Sequence, residues 1–125
     1  MNQHRPINKN PLTIRLPLAA LVSITHRLSG VFVFLMIPGL LLLLDQSLES
    51  AGSFELINSY FDRLSFRVLA WLFLAALIFH WLAGLRHLLM DIGIGESFKG
   101  GRLSAALVFT GAIVLFVLIG MWLWQ

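Results

Sequence analysis

Three long runs of apolar residues dominate the chain: about Leu18 to Leu44, Phe66 to Met90 and Leu103 to Trp124. Each is long enough for the roughly 20 residues that an α-helix needs to cross the hydrocarbon core of a bilayer. Residues 31–44, VFVFLMIPGLLLLL, contain no charge. Between the first two runs lies DQSLESAGSFELINSYFDR, which is polar and acidic. Between the last two lies DIGIGESFKGGR, with four glycines and charges of both signs. The pattern predicts an all-α integral membrane protein: an N-terminal segment, 1–17, then a three-helix transmembrane anchor domain, 18–125. Pro38-Gly39 is expected to kink the first helix, which membrane helices tolerate.

Composition sharpens this reading. Of 125 residues, 58% are hydrophobic and 12% charged, against about 25% charged in soluble domains. One small soluble core could not hide that much apolar surface. The first apolar run is too long for a signal-peptide core, and no A-x-A-like cleavage site follows it. The chain has no cysteine, which removes disulfides, thiolate metal sites, iron–sulfur ligation and thiol nucleophiles together. The net charge of +3 comes from basic residues scattered beside helix ends, so nucleic acid is not an expected partner.

Those charges set an orientation. Arg5, Lys9 and Arg15 precede the first run, and Arg86, Lys99 and Arg102 cluster around the second connection. Around the first connection, Arg63 and Arg67 face Asp45, Glu49, Glu55 and Asp62. The positive-inside rule then places the N-terminus and the second connection in the cytoplasm, and the C-terminus on the periplasmic side. Trp122 and Trp124 fall where an interfacial aromatic belt is expected.

Against this background, polar residues inside the spans need a reason. Counting about 1.5 Å per helical residue from the span ends, His87 lies roughly 6 Å deep, His80 roughly 16 Å, and His26 and Arg27 roughly 12–14 Å. Ser23, His26, Arg27 and Gly30 share one face of the first helix. His80, Gly84, His87 and Asp91 form a matching stripe on the second. Ionisable residues at such depth face a bundle interior or a cavity. A neutral histidine there is either a metal ligand or helix glue through interhelical hydrogen bonds. Haem iron accepts an axial histidine, and propionates call for cationic or hydrogen-bonding partners. His80 sits centrally beside Gly84, where a missing side chain gives a flat ring room, and His26, Arg27 and His87 lie on the cytoplasmic side. No second histidine is expected at the depth of His80, so a six-coordinate haem would need its other ligand from another chain.

Arg5-Pro6, SITHRLSG at 23–30 and HWLAGLRHLLMD at 80–91 together resemble the cytochrome b subunits of succinate dehydrogenase, a membrane anchor of respiratory complex II, in their bacterial form. The likeness covers almost the whole chain and rests on S-x-x-H-R-x-S/T-G followed by H-x-x-x-G-x-R-H-x-x-x-D. It implies a membrane-anchoring subunit of a succinate:quinone oxidoreductase, in a heteromeric helix bundle of a bacterial inner membrane. It implies His80 as axial ligand of a haem b shared with a second anchor subunit that supplies the other histidine. It further implies His26, Arg27 and His87 around the propionates, Ser23 and Arg27 at a ubiquinone site, and an iron–sulfur subunit and a flavoprotein subunit as partners. Succinate chemistry is not expected on this chain.

The N-terminal RPINKNPLTIRLP departs from the form of many mitochondrial relatives. The single tyrosine, Tyr60, lies in the outer connection, so any tyrosine at the quinone must come from elsewhere. Asp91 reads more simply as a helix-end residue than as a proton carrier. Trp71, Phe73, Phe79 and Trp81 read as packing or lipid-facing residues. The alternatives are a haem-free anchor of a fumarate reductase-type complex and a proton- or solute-conducting subunit. Conduction would need polar residues across the full thickness. The third run, LSAALVFTGAIVLFVLIGMWLW, has almost none.

Overall fold

The computed structural model describes residues 16–125. The expectations attached to residues 1–15, including Arg5-Pro6, lie outside the described residues. Helix α1 spans Leu18–Glu49, α2 Ala51–Tyr60, α3 Leu64–Asp91 and α4 Phe98–Leu123. Three of them, α1, α3 and α4, are long and apolar enough to cross a membrane.

Helix α1 continues through Pro38 and ends at Glu49, five residues beyond the last leucine of its apolar run. Its 32 residues span about 48 Å at 1.5 Å each, well beyond a hydrocarbon core of about 30 Å. Asp45 and Glu49 therefore extend the helix rather than open a loop. The polar connection between the first two apolar runs holds α2. Ser50, extended at φ −162°, caps it by accepting from Ser53 N at 3.1 Å. Serine supplies the oxygen that an otherwise unpaired first-turn N–H needs. Ile57 buries the inner side of this short helix.

The α3–α4 turn has a defined chemistry. Ile94 N donates to Leu89 O and Gly93 N to Met90 O, both at 2.9 Å. These two bonds make a Schellman ending, which requires a left-handed residue at its turning point. Gly93 supplies it at φ +85°, and Gly95 follows at φ +82°. Ser97 then caps α4 through Gly100 N at 3.0 Å. The chain reverses within six residues, 92–97, and α4 returns along α3.

Packing follows membrane rules. Lipid is as apolar as leucine, so helices associate through close contact of small residues and through interhelical hydrogen bonds. The buried core is Val22 of α1, Phe79 and Ala83 of α3, and Ala105 and Val108 of α4. Arg86 straps the same seam, its Nε donating to Ser104 Oγ at 3.0 Å and its Nη2 to Gly101 O at 3.2 Å. At the opposite end, Trp71 stacks on Phe116 with centroids 4.0 Å apart and donates Nε1–H to Phe116 O at 3.0 Å. Trp71→Phe keeps the stack and removes that bond. The expected cost is about 1 kcal/mol, read as a lower melting temperature of the purified assembly. An unchanged temperature would show the bond to be dispensable.

Candidate functional site

The first half of α1 and the last half of α3 run side by side in opposite directions, and three imidazoles stack between them. The His26 ring lies 4.3 Å from that of His80 at an interplanar angle of 20°, and 5.0 Å from that of His87 at 23°. His80 and His87 are two helical turns apart on α3, and the ring from α1 fills the interval. A depth count from the span ends separates His26 from His80. The structure brings them into contact, because the true start of a span cannot be fixed to within a turn from its apolar run.

Each α3 imidazole is tethered at Nδ1. That of His80 is 3.1 Å from His26 O, and that of His87 is 2.7 Å from Ala83 O. A carbonyl only accepts, so Nδ1 carries the proton and a neutral ring keeps its lone pair on Nε2. Ser29 Oγ donates to the same His26 O at 2.8 Å and lies 3.5 Å from His80 Nδ1. Ser29 is buried at 8% exposure.

Glycines set the spacing, with a redistribution of roles. A Cβ on Gly30 would lie 2.8 Å from His80 Cε1 and 3.1 Å from its Nδ1. Gly30 of α1 thus makes room for the His80 ring. Gly84 instead receives His26, whose Nε2 would lie 3.4 Å from a Cβ there. Each helix offers a glycine to the imidazole of the other.

Ser23 and Arg27 occupy the open side of α1, where Arg27 Nη2 donates to Ser23 Oγ at 3.4 Å. Arg27 is exposed and Ser23 half-buried. Asp91, the last residue of α3, is exposed. Phe79 is buried and packs on Phe109 with centroids 5.4 Å apart, and Trp81 is exposed. Tyr60 ends α2, away from the imidazoles. Among the described residues no group of three or more His, Asp or Glu side chains converges on a bare metal ion: the imidazoles meet face to face, and their nitrogens do not point at a common centre.

Sequence reasoning gives no place in the site to Ser29 or Arg86, the two buried polar side chains of the described residues. A signal existed for each. Ser29 follows His26 by three residues, within reach of its carbonyl, and Arg86 stands in the apolar interior of α3 next to His87.

Comparison with known proteins covers almost the whole chain. The profile of the family described as "Succinate dehydrogenase/Fumarate reductase transmembrane subunit" matches residues 1–119. The chain belongs to this family. Among its relatives, the succinate dehydrogenase cytochrome b556 subunit of Coxiella burnetii (strain RSA 493 / Nine Mile phase I) is 40% identical over 125 residues, covering 99% of this chain and 100% of that one. The succinate dehydrogenase cytochrome b556 subunit of Paracoccus denitrificans is 32% identical over 122 residues, covering 92% of this chain and 88% of that one. As a transmembrane subunit of this family the chain is a multi-pass membrane protein, and its three long helices are the anchor.

Proposed function

We propose that this chain is the cytochrome b anchor of a bacterial succinate:quinone oxidoreductase, with His80 as one axial ligand of a haem b. The carrying observation is the seat of His80: its Nδ1 is tied to His26 O and its ring rests on Gly30, which leaves Nε2 as the nitrogen for iron. A second-sphere carbonyl on the far nitrogen is how ligating histidines are usually oriented. The donor set fits a haem in a second respect. His26 and His87 stack with centroids 5.0 Å apart and Arg27 follows His26 along α1, and propionates would call for donors of these kinds.

A haem held here supplies one-electron storage within the membrane. A second histidine for that haem would come from another anchor subunit, because His26 is stacked flat on His80 and is not free to serve as it. Arg27 and Ser23, adjoining on the open face of α1, offer a fixed cation and a hydroxyl to the carbonyl oxygens of a ubiquinone. Preorganised donors of this kind stabilise charge as it develops on those oxygens. Iron–sulfur and flavoprotein subunits complete the complex on the cytoplasmic side, which holds the N-terminus and the α3–α4 turn, while the C-terminus is periplasmic. Asp91 serves as a helix end, and succinate is oxidised elsewhere in the complex.

The test is a dithionite-reduced minus oxidised spectrum of the assembled complex, wild type and His80→Leu. A b-type α band in the wild type that is lost or shifted in the variant is the expected result. A wild type without the band would leave a haem-free anchor of the fumarate reductase type, with His80 as helix glue.

A further inference from the structure

Serines inside helices commonly return their hydroxyl to a carbonyl one turn back, and here Ser47 does so to Leu44 O and Ser59 to Leu56 O, both at 2.7 Å on exposed positions. Ser29 does the same to His26 O, but it is buried, and that carbonyl also receives Nδ1–H of His80. One oxygen therefore serves two side-chain donors at 2.8 and 3.1 Å. The Ser29 hydroxyl is not needed to cap a helix, and among the described residues the polar side chain it meets is His80.

We infer that Ser29 is a positioning residue for the His80 imidazole, one that weakens the hydrogen bond on Nδ1 and so holds the potential of the attached haem up. This rests on the reading of His80 as an axial ligand. The direction follows from donor competition. A carbonyl already accepting the Ser29 hydroxyl is a poorer acceptor for Nδ1–H. A weaker bond on Nδ1 leaves the imidazole less electron-rich, and a less basic ligand favours ferrous over ferric iron. Removing the hydroxyl frees the carbonyl, strengthens the Nδ1–H bond and stabilises the ferric form.

The experiment is a redox titration of the α band in the purified complex, for wild type, Ser29→Ala, Ser29→Thr and Ser29→Cys, with EPR g-values of the ferric haem alongside. If the hydroxyl is worth a typical net hydrogen bond, Ser29→Ala raises the ferric-to-ferrous ratio at a fixed ambient potential about threefold or more. Ser29→Thr, which keeps the hydroxyl, retains the wild-type ratio. Ser29→Cys, a weak donor of similar size, falls between and provides the measurement if the alanine variant does not assemble. A ratio unchanged or lowered in the haem-containing alanine or cysteine variant overturns the inference. If His80→Leu still loses the band in that case, the ligand assignment stands and only the role of Ser29 falls. A wild type with no haem overturns both.

Discussion

Gly30→Ala is expected to destabilise the assembled complex by about 1–3 kcal/mol and to deplete its haem, although the same change is ordinarily favourable within a helix. Alanine gains up to about 1 kcal/mol over glycine in a helix interior. Here the added methyl would start 2.8 Å from His80 Cε1, a separation that nonbonded carbons do not tolerate. The ring has no easy retreat. Its Nδ1 is fastened to the α1 backbone, and the imidazole of His26 lies against its face at 4.3 Å. Either α1 and α3 move apart or the ring leaves its rotamer, and overpacking of this kind costs about 1–3 kcal/mol. Gly39, in the same helix, has nothing among the described residues within 4 Å of the point where an added methyl would sit. Gly39→Ala should accordingly be neutral or slightly stabilising. Haem content per complex and the thermal midpoint, measured on both variants, decide the matter. A Gly30→Ala complex with full haem and the stability of Gly39→Ala would mean that the His80 seat is looser than this packing requires.

The parts of this architecture that are legible in the sequence are those written as long averages. Three apolar runs predict three spans because a bilayer demands about 20 residues irrespective of what packs beside them. The stripes of Ser23, His26, Arg27 and Gly30, and of His80, Gly84, His87 and Asp91, follow from a period that any helix imposes. Relations between helices are not legible. Which glycine faces which imidazole depends on the relative height of α1 and α3, and a shift of one turn moves every pairing by about 5.4 Å. That is why Gly84 reads in sequence only as room for a flat ring one turn from His80, while the seating of His80 on Gly30 and of His26 on Gly84 appears only in the structure. The α2 helix is hidden for another reason. AGSFELINSY has no apolar run longer than two residues, and its helix is fixed locally by the Ser50 cap and by Ile57 packed inward. Arg86 enters the sequence reading as a charge for topology and as one letter of the 80–91 motif, with no role of its own, yet it is buried across the α3–α4 seam.

That seam carries the other large effect. Ala105→Leu is expected to cost about 2–3 kcal/mol and to lower the yield of intact, haem-containing complex, whereas Leu107→Ala on the same helix should change little. Ala105 is 0% exposed, as is Ala83 on the facing helix, while Leu107 is 63% exposed. Gly101 and Ala105 lie four residues apart on one face of α4, and small residues at that spacing let two helices approach closely in lipid. A leucine at Ala105 adds three carbons where Val22, Phe79, Ala83 and Val108 already fill the space. Lipid cannot compensate by driving the helices together, since burying leucine among other helices gains little over burying it in acyl chains. Separation would also stretch the Arg86 bonds to Ser104 and Gly101 and leave an arginine inside the bundle with weakened partners, which is costly at membrane depth. The effect reaches the imidazoles because α4 braces the stretch of α3 between His80 and His87, where Ala83 and Arg86 stand. Native-gel recovery of the complex with haem content, compared across Ala105→Leu, Leu107→Ala and wild type, tests the argument. If Ala105→Leu assembles as well as Leu107→Ala, close approach of α3 and α4 is not what holds the histidine-bearing helix in place.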